Sequence, residues 1–299
     1  MPSKFADFDQ SDVVYKTVNG HEIATSIFVP KETQPGKRPV LLRWHGGALI
    51  NGYRNLEDWF PTWVIDFAYA NDAIVVNPDY RLLPESSGLD ILEDLQHLFE
   101  WVHSSLASHL SALPSHPGIT PNLDRILVTG ESAGGYMALQ SLILASRSHP
   151  PIAAVIAHYP MIDLRERFYS EKYPKRIYGE ECDPKDSPEA LQAYLDAIRP
   201  GQVVTERVPR DTELDLYKAM LYEGKYTAVL TKGSSPSEES KLFPRENLAR
   251  ISPKLKAQYP DWDVLVQFEE DAEHGFDAEA NKDTPWVEEG LQWVAKYWP

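Results

Sequence analysis

Near the start of the chain apolar and polar residues alternate, with Ile23, Thr25, Ile27 and Val29 on one side of an extended segment. That period of two predicts a half-buried strand. Asn19-Gly20, between residues 12–18 and 21–29, predicts a hairpin. The pattern then changes. Short apolar runs at Pro39–Trp44, Ala73–Asn77, Arg125–Thr129 and Ile152–Ala157 predict buried strands. Between them, Glu57–Ala70, Asp90–Leu106 and Tyr136–Ala145 carry apolar residues at helical spacing, as Ile91, Leu95, Leu98, Val102 and Leu106 show. Strands alternating with helices predict an α/β fold, a mostly parallel sheet covered on both faces. The antiparallel hairpin falls at one edge. A site in such a sheet lies at the carboxyl ends of the strands.

Residues 160–224 break this rhythm. They are rich in Pro, Tyr and charge, with helix-like pieces at Ser187–Ala197 and Thr212–Tyr222. The expectation is one domain over 1–299, with 160–224 inserted after the sixth strand as a lid over the sheet. Beyond it, Ser234–Ser240 reads as a polar loop, Leu248–Gln258 as a helix and Asp263–Phe268 as a strand. Trp286–Trp298 reads as a closing helix with Val287, Leu291, Val294 and Ala295 facing inward.

Composition narrows the function. A chain of 299 residues can bury a sizeable core. A formal net charge of −16 argues against nucleic acid or an anionic membrane surface as partner. The single cysteine, Cys182, excludes an intrachain disulfide. The first residues show no apolar core of a signal peptide, and no apolar run is long enough to span a bilayer. A cytoplasmic protein without a membrane span is therefore expected. No Cys/His cluster has metal-ligand spacing, and no phosphate loop or dinucleotide fingerprint is present, so neither metal nor cofactor is expected.

The chemistry gathers around Gly130-Glu131-Ser132-Ala133-Gly134-Gly135, between an apolar strand and a helical run. A serine at the apex of such a turn is exposed at the sheet edge, with the next amide opening a helix towards a developing oxyanion. A serine hydroxyl needs a base. Among the nine histidines, His21, His97, His103, His109, His116 and His149 fall away from the carboxyl edge. His158 ends a strand and stays open. His274 follows the last predicted strand and precedes the last helix, the Ser-then-His order of α/β-hydrolases. Gly46 and Gly47 follow another strand at the same edge and, lacking side chains, offer amides beside Ala133 as oxyanion donors.

Together, His45-Gly46-Gly47-Ala48, Asp79-Tyr80-Arg81-Leu82-Leu83-Pro84-Glu85, Gly130–Gly135 and His274-Gly275-Phe276 resemble the hormone-sensitive-lipase-like branch of the α/β-hydrolase superfamily. The resemblance runs from about Val13 to the C-terminus. It implies an α/β-hydrolase fold and cofactor-free cleavage of carboxylic esters, usually with short acyl chains. It also implies Ser132 as nucleophile, His274 as general base, and Gly46, Gly47 and Ala133 as the oxyanion hole. The implied partner is a small-molecule ester or related apolar substrate; a homodimer is left open.

The chain departs from the family pattern in three places. Ala48 stands where a third glycine is usual, the N-terminal cap helices are missing, and the usual acid segment is not found. If Tyr226–Thr231 were the penultimate strand, Ser235 would take the aspartate's place and Glu238 or Glu239 would have to substitute. If that strand is missing, which the cap-like character of Asp211–Gly224 favours, Asp163 at the end of the strand before the lid is the candidate acid, with helix capping as its competing role. The departure at the acid keeps a second class open: a hydrolase-fold protein performing cyclisation, elimination or rearrangement in small-molecule biosynthesis, or a catalytically impaired homologue. A non-catalytic binder is disfavoured by the retention of both Ser132 and His274.

Overall fold

The computed structural model describes residues 3–148, 152–177, 179–182, 188–208, 215–245 and 263–299. The predicted hairpin forms from β1 (Phe8–Val18) and β2 (His21–Pro30), which pair antiparallel and turn at Asn19 (φ 51°) and Gly20 (φ 81°). Two successive positive φ values are what a twisted two-residue hairpin loop requires. β3 (Gly36–Trp44), β4 (Ile74–Pro78), β5 (Ile119–Glu131) and β6 (Ile152–His158) follow. Among the described residues they complete a six-stranded sheet ordered β1-β2-β4-β3-β5-β6, parallel from β4 to β6.

The strands bury both faces, as near-continuous apolar runs should. Val40, Leu42 and Trp44 of β3 join one core cluster while Leu41 joins the other. The first cluster is closed by α2 (Gly88–Ser111) and α3 (Ala133–Ser148), the second by α1 (Thr62–Ala70) and the C-terminal helix (Pro285–Val294). α2 begins at a capping box in which Ser87 and Asp90 satisfy each other's backbone N–H groups, and it runs further than its apolar stripe predicted. The predicted helix Glu57–Ala70 divides at Pro61 into a short turn, Glu57–Trp59, and α1. Proline suits a helix start but interrupts a helix interior.

After β6 come α4 (Arg167–Ser170), a small hairpin of β7 (Lys175–Ile177) and β8 (Glu180–Cys182), then α5 (Pro188–Ala197), α6 (Leu216–Tyr222), α7 (Tyr226–Leu230) and α8 (Pro236–Glu239). Leu191, Met220, Leu221, Tyr226 and Leu230 belong to the same core as β3 and α2, so this segment is packed onto the sheet rather than tethered to it. α7 occupies Tyr226–Leu230, which removes the alignment that made Tyr226–Thr231 a strand.

Residues 263–268 are a correction. They carry the short apolar run of a strand but form no ladder, and Val264, Val266 and Phe268 are 60%, 64% and 87% exposed. A β-branched apolar run fits a pleated surface; it does not supply a neighbouring strand to bond to. Leu265 and Gln267 instead line a cavity of about 190 Å³ against Val155–Tyr159 at the end of β6. The predicted helix Leu248–Gln258 lies outside the described residues. Among the described residues no helix is long and apolar enough to cross a membrane.

Candidate active site

β5 runs directly into α3 with only Ser132 between them, and Ser132 is held at φ 56°. A non-glycine residue at positive φ is strained, and here three backbone bonds hold it. Its N–H donates to His158 O (2.9 Å), and its carbonyl accepts from Tyr136 N (3.1 Å) and Met161 N (3.3 Å). The turn also depends on the absence of a side chain at Gly134, where a Cβ would lie 2.0 Å from Trp44 O.

Ser132 Oγ lies 3.0 Å from His274 Nε2, across a sequence separation of 142 residues. The geometry is that of a hydroxyl donating to a neutral imidazole. Burial lowers the His274 pKa, and the nearby Asp277 charge only partly offsets this. The imidazole is therefore free of its proton at neutral pH and available as a base.

The His45–Ala48 loop reaches the same edge from the end of β3. Gly47, at φ 102°, approaches the backbone so closely that a Cβ would lie 2.0 Å from Asn51 O. Ala48 and Leu49 also sit at positive φ, 58° and 59°. Ala48 therefore takes, with its methyl group buried, a backbone conformation that glycine would adopt without strain. His45 stacks on Tyr80 at 4.3 Å, and Tyr80 OH donates to His45 O at 2.8 Å. Tyr226 OH donates to Ala48 O at 2.8 Å. Burial drives His45 down to about 3, so its ring is a neutral structural group.

Beneath the loop lies a buried charge network. Glu131 forms an ion pair with Arg43 and accepts the Gly46 N–H at 3.0 Å. Burial raises the Glu131 pKa, and Arg43 and the Gly46 amide pull it back. Arg43 also donates to Trp59 O at 2.9 Å and lies 4.1 Å over the Phe60 ring. The Asp79–Glu85 segment supports the site from the side: Arg81 pairs with Asp94, and Glu85 with Arg207 at 2.7 Å.

These elements enclose a cavity of about 260 Å³. Ser132 and His274 line it with Gly46, Gly47, Trp59, Phe60, Tyr159 and Tyr217. A serine at a strained strand-to-helix elbow with histidine at its hydroxyl agrees with the match of residues 41–230 to the family described as alpha/beta hydrolase fold. The chain belongs to the α/β-hydrolase fold family. The probable carboxylesterase M8 of Phoma sp. is 30% identical to this hydrolase, over 99% of this chain and 98% of the relative. The probable carboxylesterase clz11 of Cochliobolus lunatus is 33% identical over 54% of this chain and 71% of its own. Among solved structures, an alpha/beta hydrolase superfamily protein of Enterococcus faecalis superposes with a TM-score of 0.59 at 18% identity, covering 96% of this chain and 99% of that one. The hydrolase is carboxylesterase-like, of the hormone-sensitive-lipase-like type that its motifs resemble.

The structure brings Ser132, His274, Gly46, Gly47 and Ala133 to one edge of the sheet, but three expectations are not met. Asp163 does not line the cavity; its carboxylate pairs with Arg245 outside it. It lies five residues past the end of β6. Glu238 caps its own short helix, accepting from Ser235 N at 2.9 Å, and Glu239 beside it is in the same exposed turn. The Gly46 N–H, expected to point into the oxyanion hole, is taken by Glu131. A buried carboxylate next to it wins that proton as a charge-assisted bond.

Sequence reasoning missed Tyr159 and Asp277. Both line the cavity, and Tyr159 OH donates to Asp277 Oδ1 at 2.6 Å. The available signal was a carboxylate three residues beyond the candidate base. Among the described residues no group of His, Cys, Asp and Glu could hold a metal ion.

Proposed function

We propose that the protein is a serine hydrolase that cleaves carboxylic esters through an acyl-enzyme. Ser132 Oγ attacks the ester carbonyl carbon while its proton passes to His274 Nε2. The amides of Gly47 and Ala133 stabilise the tetrahedral oxyanion, and Gly46, bonded to Glu131, fixes the loop that presents Gly47. Collapse of the intermediate breaks the bond to the alcohol oxygen, which leaves with the proton from His274. Water, deprotonated by the same imidazole, then attacks the acyl-enzyme and releases the acid. Residues 160–224 act as the lid, with Tyr217 on the cavity wall.

The single observation that carries this reading is the 3.0 Å contact between Ser132 Oγ and His274 Nε2 at a strained elbow. The carboxylesterase relatives support the substrate class. The small volume of the cavity, about 260 Å³, supports short acyl chains.

The test is turnover of 4-nitrophenyl acetate, butyrate and octanoate. Wild type hydrolyses the shorter esters best, and Ser132→Ala and His274→Ala each lose activity by about 10³-fold or more. Asp163→Asn stays within about twofold of wild type, because its partner is a surface arginine. The acid limb of kcat/KM falls below the ordinary imidazole value of about 6.5, since burial lowers the His274 pKa. Turnover indifferent to Ser132, or none in the wild type, sinks the reading.

A further inference from the structure

Asp277 sits in the turn Phe276–Glu279 directly after His274, and the acyl-transfer steps above make no use of it. It is buried, yet it lines the cavity that holds Ser132 and His274. Its Oδ1 accepts from Tyr159 OH at 2.6 Å, and its Oδ2 lies 3.4 Å from His158 Nδ1. His158 is in turn stacked on Trp63 at 4.6 Å. Burial alone would push this carboxyl up; His158 and Tyr159 outweigh it and hold it below the usual carboxylate range. Asp277 is therefore an anion at neutral pH.

Tyr159 ties that anion to the base. Its ring meets the His274 ring edge-on at 4.7 Å with an interplanar angle of 63°, while its hydroxyl holds Asp277. Tyr159 is kept at φ 29°, a backbone conformation that a bulky aromatic residue rarely adopts. Strain of this kind persists where the surroundings over-determine it and is concentrated at functional sites. His158, the preceding residue, accepts the Ser132 N–H, so nucleophile, tyrosine and aspartate anchor are fixed by one turn at the end of β6.

We propose that Asp277, anchored by Tyr159, is the positioning residue for His274: it supplies the negative charge opposite the imidazolium formed in acyl transfer, and Tyr159 fixes the plane of the ring. This rests on the serine-hydrolase reading above. It gives a residue on the histidine's own turn the work of an acid, with the charge acting through space and through the tyrosine. Among the described residues, the other titratable or charged groups facing this pair are Glu131 with its Arg43 partner, His158, and the cavity-wall carboxylates Asp58 and Asp215. Asp277 and Tyr159 stand apart from these because both interact with His274.

The experiment compares Asp277→Asn, Asp277→Glu, Tyr159→Phe and the Asn/Phe double variant with wild type and Ser132→Ala on 4-nitrophenyl acetate from pH 5 to 9. Melting temperature and fluorophosphonate labelling are followed in parallel. Asp277→Asn loses about 10²- to 10³-fold in kcat, less than the ~10⁴ of a directly bonded triad aspartate, while KM changes by no more than about threefold. The charge raises the proton affinity of His274, so removing it moves the acid limb of kcat/KM down by about one pH unit. Tyr159→Phe keeps the ring and loses about tenfold. The double variant is no worse than Asp277→Asn, since the hydroxyl acts through the carboxylate.

Asp277→Glu recovers part of the rate and the wild-type acid limb. A folded Asp277→Asn with wild-type kcat and an unmoved limb overturns the inference. If Asp277→Asn does not fold, Tyr159→Phe decides: an unchanged rate and limb overturn it. Full activity in Ser132→Ala would instead overturn the serine-hydrolase reading itself.

Discussion

Arg43 is buried in β3 and divides its guanidinium between the Glu131 carboxylate, Trp59 O at 2.9 Å and Asn77 Oδ1 at 3.3 Å, with the Phe60 ring 4.1 Å away. Glu131 spends its other contact on the Gly46 N–H. One buried ion pair thus joins the neighbour of Ser132 to the His45–Ala48 loop and to the aromatic residues of the cavity wall. Removing one partner of such a pair costs far more than the pair contributes, because the remaining charge is stranded in the interior. Glu131→Gln keeps an oxygen for the Gly46 amide and loses the charge opposite Arg43. It is expected to lower the unfolding free energy by about 3 kcal/mol in urea titrations. A loss below about 0.5 kcal/mol would show that Arg43 is satisfied without Glu131. Glutamate beside the serine was visible in the sequence as part of the motif. Its bond to the loop after another strand was not, because only the register of β3 against β5, which sets Trp44 opposite Gly130, brings the two together.

At the scale of elements, the elbow is a three-way contact between the ends of β3 and β5 and the first turn of α3. Gly134 sits at its centre, and a Cβ there would meet Trp44 O at 2.0 Å and Trp44 C at 2.8 Å. Both are backbone atoms of a central strand and cannot move aside cheaply. Gly134→Ala should therefore abolish soluble folded protein or lower Tm by well over about 10 °C, whereas Ala at a tolerant exposed helical glycine would stabilise. A Gly134→Ala protein with wild-type Tm and Ser132 labelling would refute the close approach. Features written within a few residues, such as the hairpin at Asn19-Gly20, the elbow and the His45–Ala48 loop, were legible in the sequence because local spacing determines them. The hydrolase architecture was legible too, since strands buried on both faces leave continuous apolar runs. The run 263–268 was misread because its β-branched apolar residues resemble a strand's while β6 beside it offers a cavity and no ladder. Asp163 stands where the order of elements suggests an acid, but its chain direction carries it to Arg245. Asp277 reaches the site through the tertiary contacts of Tyr159 and His158, which no spacing encodes.

The whole molecule carries a net charge of −16, and its cavity repeats that sign locally. Asp58, Glu131, Asp215 and Asp277 all line it, and no Lys or Arg does so among the described residues. Arg43 offsets Glu131 from behind the wall, while Asp58, Asp215 and Asp277 remain among the lining residues. At an effective dielectric of about 20, one like charge at about 8 Å opposes a second by roughly 2 kcal/mol. An ester whose acyl chain ends in a carboxylate should therefore react more slowly than its neutral isostere of equal length, by about tenfold or more in kcat/KM at about 10 mM salt. The long-range part of this repulsion comes from the surface and is screened as the Debye length falls from about 30 Å to about 8 Å at 0.15 M. The gap between the two esters should narrow with salt while the neutral ester's rate stays nearly constant. Measuring 4-nitrophenyl butyrate against 4-nitrophenyl hemisuccinate at both ionic strengths separates the contributions. A gap that closes fully with salt assigns the discrimination to the acidic surface, and a residual gap assigns it to the cavity carboxylates. Equal rates at low salt would mean that neither field reaches the acyl site, and the acidic lining would then have no part in substrate choice.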